Sequence, residues 1–519
     1  MGLFLTLLYI LTAYLGPSTL WGPLAEFRIE LILAVLALIA SLPALGRSKL
    51  FSIPQSYALL GMGVAVLCSQ VMTGWLGSIV PAMMLGFIPN ACTFYLVTVN
   101  CRKKSHLQML AFIMFLFCGY SIFKGWYALH TSDYLSPYLM AQGGEAGENG
   151  VLYRLRGLAF INDPNDFSQV MVSLIPCMFF FWKKGSLPRN FLLVILPVSW
   201  LVFGMFLTHS RGGMLALLAV VLFGVRRKIG TVPSVILAGC LFAVTVAIGW
   251  SGGRDVSLEA GADRLEAWSV GLELIKSHPL FGVGFARFSD FYTITAHNTI
   301  VVCTAELGVF GLFWWVAFVL PTIRDALVSS QPNRPLAPEE DDSFSFDRAM
   351  GPRRNGGQSS QAASLTRPGA GLGSGLGWRD PRYAATGGMA SSVMVAEELQ
   401  ELQPPQDALE KPVALPMHLA ALEEVEQFPE PEEIARIAML MFTCVVGYFV
   451  AGWFLSRAYI MTLFIYGGMV QSVYRMALAR GIAAPRLKTV KIAQYSAITS
   501  IALIILVYVM LRIQHLTGG

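Results

Sequence analysis

Charge is what this chain has least of. Only 13% of its 519 residues are Asp, Glu, Lys or Arg, against about 25% in an ordinary soluble domain. Apolar runs of roughly 20 residues recur, each long enough to cross a bilayer. With 55% hydrophobic residues and a mean hydropathy of +0.59, the chain reads as an all-α polytopic integral membrane protein. Cysteine is sparse as well. The eight are Cys68, Cys92, Cys101, Cys118, Cys177, Cys240, Cys303 and Cys444. None forms a CxxC pair and all fall in or beside apolar runs, so they read as small core hydrophobes and exclude a disulfide frame. There is no His-x-x-x-His pair, no P-loop and no defensible carboxylate dyad for hydrolysis. The net charge of +5 is too small to support nucleic-acid binding. No internal repeat is evident, and no matched pair of Gly/Pro-broken spans points to an inverted-repeat transporter. The start, Met1 to Leu15, lacks a basic region and a clear cleavage site, and reads as a retained first span.

The apolar runs predict about 12–13 transmembrane helices, at 2–15, 29–45, 55–75, 79–100, 106–124, 166–183, 190–208, 212–225, 231–250, 298–321, 434–455, 459–475 and 490–511. Basic residues cluster on alternate loops: Arg47 and Lys49, Arg102 to Lys104, Lys183 to Arg189, Arg226 to Lys228, and Arg475 to Lys491. Flanking cations mark the cytoplasmic side, so an N-terminus inside puts every one of these clusters in the cytoplasm. The chain then divides into a transmembrane core over 1–325, a cytoplasmic segment over 326–433, and further transmembrane helices over 434–519. The core carries two sizeable outer loops, about 125–167 and 251–297. The middle segment contains GPRRNGGQSSQAASLTRPGAGLGSGLG, a composition that buries too little apolar area to offset ordering entropy. It reads as a mostly disordered linker, with a short helix near Leu415–Gln427 where Leu415, Leu419, Leu422 and Val425 recur at helical spacing.

The outward side is where the charge pattern breaks its own rule. It carries Arg154, Arg156, Arg211, Arg264, Arg287 and His297, and cations there run against the usual bias. Binding an anion such as a lipid phosphate explains them; ordinary loop solvation is the alternative for each. Arg211 lies in THSRGGML, a turn too tight to leave the bilayer edge, where an unpartnered arginine costs a few kcal/mol. Gly212 and Gly213 beside it permit close approach. Arg264 opens a helix on which Leu265, Trp268, Leu272 and Ile275 share one face, which suggests an amphipathic helix on the membrane surface. A cation at that end opposes the helix dipole. His297 and Asn298 stand where the chain re-enters the bilayer. In YRLRGLAFINDPNDFSQVM, Asp163, Pro164 and Asp166 fit an N-cap, a first-turn proline and a third-position acid. Arg154 and Arg156 alternate, so an extended strand would face them one way. Lys124, beside Trp126, is a further anion-site candidate.

These residues resemble the O-antigen ligase and polymerase superfamily of bacterial envelope proteins. His297-Asn298, nine residues, then Gly308-x-x-Gly311-x-x-Trp314 is similar to the family pattern H-[NSQ]-x9-GxxG-xx-[GTW]. Ser210 to Gly213 resembles the family's arginine turn, and DRLEAW with HPLFGVG its large periplasmic loop. The likeness covers roughly 150–320; the long linker before residue 434 departs from the family plan.

The resemblance implies a helical membrane glycosyltransferase of the bacterial inner membrane, active at its periplasmic face. It implies a donor glycan on undecaprenyl diphosphate, a hydroxyl acceptor on lipid A core, inversion at the anomeric carbon, and no metal or other cofactor. His297, Arg211 and Arg264 would act on the reacting groups; Arg156, Arg154, Asn298, Arg287 and Lys124 would help hold substrate. A polymerase using the same donor and a protein O-oligosaccharyltransferase fit the same residues. A lipid-linked glycan transporter, the non-enzyme alternative, calls for charges at mid-span depth; here the polar groups gather at the outer mouth.

Overall fold

The structure is a computed structural model that describes residues 1–20, 27–48, 50–143, 150–250, 262–331 and 428–517. A helix stands at each expected span. In chain order these are α1 (Gly2–Leu15), α2 (Ile29–Arg47), α3 (Pro54–Met72), α4 (Leu76–Asn100), α5 (Lys104–His130), α6 (Pro164–Met178), α7 (Leu187–Leu207), α8 (Arg211–Ile229) and α9 (Thr231–Ala247). Then follow α10 (Ala262–Ser277), α11 (Thr299–Ser329), α12 (Pro431–Gly452), α13 (Met461–Ala479) and α14 (Thr489–Thr517). Among the described residues, eight helices are long and apolar enough to cross a membrane; α1 and α9 are apolar but shorter. This is an all-α polytopic membrane protein.

Local chemistry sets the helix starts. Pro54, Pro164 and Pro431 sit in the first turns of α3, α6 and α12, where a missing N–H costs nothing. Asp163, Ser210 and Asn298 cap α6, α8 and α11 with their side chains. Helices α6, α11 and α13 are buried nearly all round and form the centre. On α2, α9 and α14, by contrast, apolar side chains such as Ile39, Val235 and Ile498 are exposed, as suits surfaces that meet lipid.

The helices after the linker belong to the same body as those before it. Helix α12 packs against α6, α8 and α11, and α13 against α4. At the start of α12, Glu433 meets Lys104 of α5 at 2.6 Å and Arg436 at 2.6 Å. Arg436 also donates to the Phe179 carbonyl at 2.8 Å, just past α6. The linker is expected over 326–433, but helix continues to Ser329 and resumes at Pro431. The disordered middle and the short helix near Leu415–Gln427 lie outside the described residues.

Three features go beyond the sequence reading. The segment between α5 and α6 contains an antiparallel hairpin, β1 (Leu139–Gln142) with β2 (Leu152–Leu155), in which Met140 pairs with Arg154. The Trp268 face of α10 packs on α11, with Trp268 and Leu274 buried and Leu265, Leu272 and Ile275 partly buried against the core. Helix α11 is broken at Gly308, where φ is 67° and ψ −172°. The segment after α10 lies along the break: Val283 N donates to the Ala305 carbonyl at 2.9 Å, and Val309 N to the Pro279 carbonyl at 2.9 Å. The two glycines in the HPLFGVG turn thus meet the Gly308 break of α11 through backbone, which places α10 relative to the start of α11.

Candidate functional site

Four segments meet around His297. The first is the turn ahead of α8. His209 adopts φ 49°, and its Nδ1 lies 3.0 Å from the Trp250 carbonyl. Ser210 then accepts from Gly213 N at 3.2 Å and closes the cap, which leaves Arg211 as the first helical residue, half-buried. The glycines that follow are filled by protein: a Cβ on Gly212 would lie 3.0 Å from Phe454, and one on Gly213 only 1.8 Å from the Ser168 hydroxyl. They let α8 close on α6 and on the segment between α12 and α13.

The second segment is the entry to α6. Asp163 Oδ1 accepts from Asn165 N at 2.8 Å and Asp166 N at 3.4 Å. Asp166, buried one turn on, is ion-paired with Arg457, whose Nε reaches it at 2.6 Å. The third is the entry to α10, where Arg264 is half-buried.

The fourth is the His297 turn itself. His297 takes φ 46°, a left-handed conformation uncommon outside glycine, with Asn, Asp and His the more frequent exceptions. A strap over residues 453–457, joining α12 to α13, holds it there. His297 N donates to Ser456 Oγ at 2.8 Å, Asn298 Nδ2 to the Trp453 carbonyl at 3.1 Å, and Thr299 Oγ1 to the Leu455 carbonyl at 2.8 Å. Tyr448 steadies the strap by donating to the Arg457 carbonyl at 3.0 Å.

The charges of this group act on one another. Burial pushes the Arg264 guanidinium below its ordinary value, Arg211 adds to that, and Asp163 opposes it. Burial likewise lowers His297, Arg264 and Arg457 lower it further, and Asp163 acts the other way. Burial also works against the charge on Arg457, but the Asp166 carboxylate outweighs it and holds this guanidinium above its ordinary value. His297 is therefore neutral over a wider pH range than a free imidazole, inside a cluster of guanidinium groups. Such an arrangement can hold an oxyanion and accept a proton beside it. Among the described residues, no three His, Cys, Asp or Glu gather closely enough to hold a metal ion.

Of the residues singled out from the sequence, Arg211, Arg264 and His297 come together here. Others are committed to the framework. Arg154 is 4% exposed and donates to the Thr208 carbonyl at 2.8 Å, to Gln142 at 3.1 Å and to Asn165 at 2.9 Å. It ties the hairpin to the Arg211 turn and to the start of α6. Arg156 does not share its direction: it lies past the end of β2 and donates to the Pro137 carbonyl at 3.0 Å. Asn298 is fully buried, its oxygen capping α11 and its nitrogen on the strap. Arg287 lies over the Trp75 ring at 4.1 Å, pairs with Asp290 at 2.9 Å and donates to Ser78. Lys124 is half-buried on α5. The sequence reading passed over Arg457 and Ser456. The signal was there: in the expected span order Arg457 is the one cation on the outward turn between 434–455 and 459–475.

Arg154→Ala is expected to lower the thermal unfolding midpoint of the purified protein, because it strands three acceptors, and buried unpaired groups cost about 1–3 kcal/mol each. Lys at this position does not reach all three acceptors. A Lys variant as stable as wild type would contradict this account of Arg154.

Fold and site together define a helical polytopic membrane protein with a cationic, imidazole-bearing site assembled where its helices begin. Residues 196–316 match the family described as O-antigen ligase, a stretch that contains Arg211, Arg264, His297 and Gly308 at the α11 break. This stretch of the chain resembles the O-antigen ligase family. No curated protein matches the chain.

Proposed function

We propose that the protein transfers a glycan from undecaprenyl diphosphate to a hydroxyl acceptor, the lipid A core, at the periplasmic face of the bacterial inner membrane. The observation that carries this reading is the convergence of Arg211, Arg264 and His297 from three separate segments, all within the family match. As the glycan leaves, negative charge develops on the diphosphate oxygens. Arg211 and Arg264 hold that charge through charge-assisted hydrogen bonds, in a site where water screens them little. His297, neutral for the reasons given, accepts the proton of the attacking hydroxyl. The new C–O bond forms on the face opposite the departing diphosphate, so the anomeric configuration inverts. The bond to the diphosphate breaks with its electron pair on the phosphate oxygen, and the proton rests on His297 until solvent takes it.

Deleting the gene and running surface glycans on a gel tests the acceptor. Loss of long chains from lipid A supports the ligase. Single-repeat chains that remain attached would instead point to a polymerase, and unchanged lipopolysaccharide with altered glycoproteins to a protein-directed transferase. Movement of donor across proteoliposomes without covalent transfer would overturn the enzymatic reading.

A further inference from the structure

We propose that Asp163 is a positioning residue for His297: its carboxylate stabilises the imidazolium formed when His297 takes the acceptor's proton. This rests on the reading of His297 as the base. The difficulty it resolves is electrostatic. A base ringed by guanidinium groups becomes a further cation when it does its work, and each neighbouring charge opposes that.

Geometry puts Asp163 in the right place. Its Oδ1 takes both cap hydrogen bonds, so the cap leaves Oδ2 outside it. One turn on, Asp166 binds Arg457. The residue before Arg457 is Ser456, whose Oγ receives His297 N at 2.8 Å. Two direct bonds therefore join the first turn of α6, the strap and the His297 turn into one unit. The Asp163 carboxylate acts electrostatically on His297, Arg264 and Arg457 alike.

Among the described residues, the charged and titratable groups acting on His297 are few. Arg264 faces it from α10 and Arg457 from the strap, the latter already paired with Asp166. Arg211 acts on Arg264 from α8. His209, on the turn before α8, is bonded to the Trp250 carbonyl, and the Tyr448 hydroxyl to that of Arg457. Among these only Asp163 is an acid not already ion-paired with an arginine in the described residues. The transferred proton sits on His297, as in other carboxylate–imidazole pairs.

The rival account makes Asp163 a helix cap and nothing more. Asp163→Asn separates the two, because Asn caps a helix as well as Asp but carries no charge. The measurement uses the full chain in nanodiscs. Diethyl pyrocarbonate acylates neutral imidazole, and peptide mass spectrometry reads its reaction at His297 as a function of pH. In Asp163→Asn the midpoint is expected to move to lower pH, with wild-type thermal stability. Transfer from an undecaprenyl diphosphate-linked glycan should fall on the order of 10- to 100-fold. An unchanged midpoint overturns the proposal. Asp163→Ala, which also loses the cap, should show the same midpoint shift together with lower thermal stability; a stability loss without the shift leaves only the cap. Full transfer by His297→Ala would instead overturn the base assignment, a result distinct from an unmoved midpoint in Asp163→Asn.

Discussion

His297→Ala and Arg211→Ala should each abolish detectable glycan transfer while the protein remains folded in the membrane. Loss of a positioned general base typically costs about 10²–10⁴-fold, and loss of a group that holds developing negative charge costs about 10²–10³-fold. The strap grips His297 through its backbone N–H, and Arg211 follows a cap made by Ser210. The pH profile gives a second, independent readout. Burial first, then Arg264 and Arg457, lower the proton affinity of His297. The working form is the neutral one, so activity is lost only as pH falls through a value below the ordinary imidazole range of about 6.5. Arg264→Gln removes one of the lowering charges. Its residual activity should therefore show an acid limb moved to higher pH. Transfer assayed in proteoliposomes between pH 5 and 8 checks both statements, with expression followed by fluorescence-detected size exclusion. Full activity in either Ala variant removes that residue from the mechanism, and an acid limb that stays put in Arg264→Gln removes the electrostatic coupling.

Gly308→Ala should be the most damaging conservative change in the chain. At φ 67° and ψ −172° the backbone occupies a region essentially reserved for glycine, which costs other residues about 1–3 kcal/mol. Space is lacking as well: a Cβ there would lie 2.2 Å from the Leu280 carbonyl oxygen, and that oxygen belongs to backbone, which does not rotate aside. Gly282→Ala meets the same break from the other side, 2.3 Å from the Glu306 carbonyl carbon at φ 70°. Both variants should express poorly or unfold several degrees lower. Whatever protein survives should transfer weakly, because the break sets where α10 and the His297 turn sit. Gly224→Ala is the control. It lies on α8 with nothing within 4 Å of the added methyl, and should match wild type. A Gly308→Ala protein with wild-type melting and transfer would show that the break is incidental.

How much of this was legible beforehand depends on the kind of interaction. The thirteen apolar runs each became a helix, because a backbone in lipid has to satisfy its own hydrogen bonds and a helix does so locally. The cap at Asp163 could be read for the same reason, since a cap bonds within its own first turn; the one at Asn298 was not. Arg211, Arg264 and His297 stood out as cations on the side where cations are scarce. The same test does not separate them from Arg154 and Arg287. All are basic residues in loops expected to face outward, but Arg154 is bonded to partners up to 54 residues away and Arg287 to one 209 residues away. The hairpin over Leu139–Leu155 was missed because two four-residue strands leave little periodicity to see.

The amino-acid sequence alone was enough to determine that this is a many-helix membrane protein, where its helices start, and which basic residues stand against the charge bias of its loops. Each of these depends on chemistry within a turn or a span. Only the tertiary structure decided that Arg154 and Arg287 are struts, that a strap from beyond the linker holds His297, and that α11 breaks where two glycine turns touch. Those outcomes rest on contacts that reach well beyond one helical turn, from Val283 with Ala305 to Ser456 with His297, and no local pattern records them.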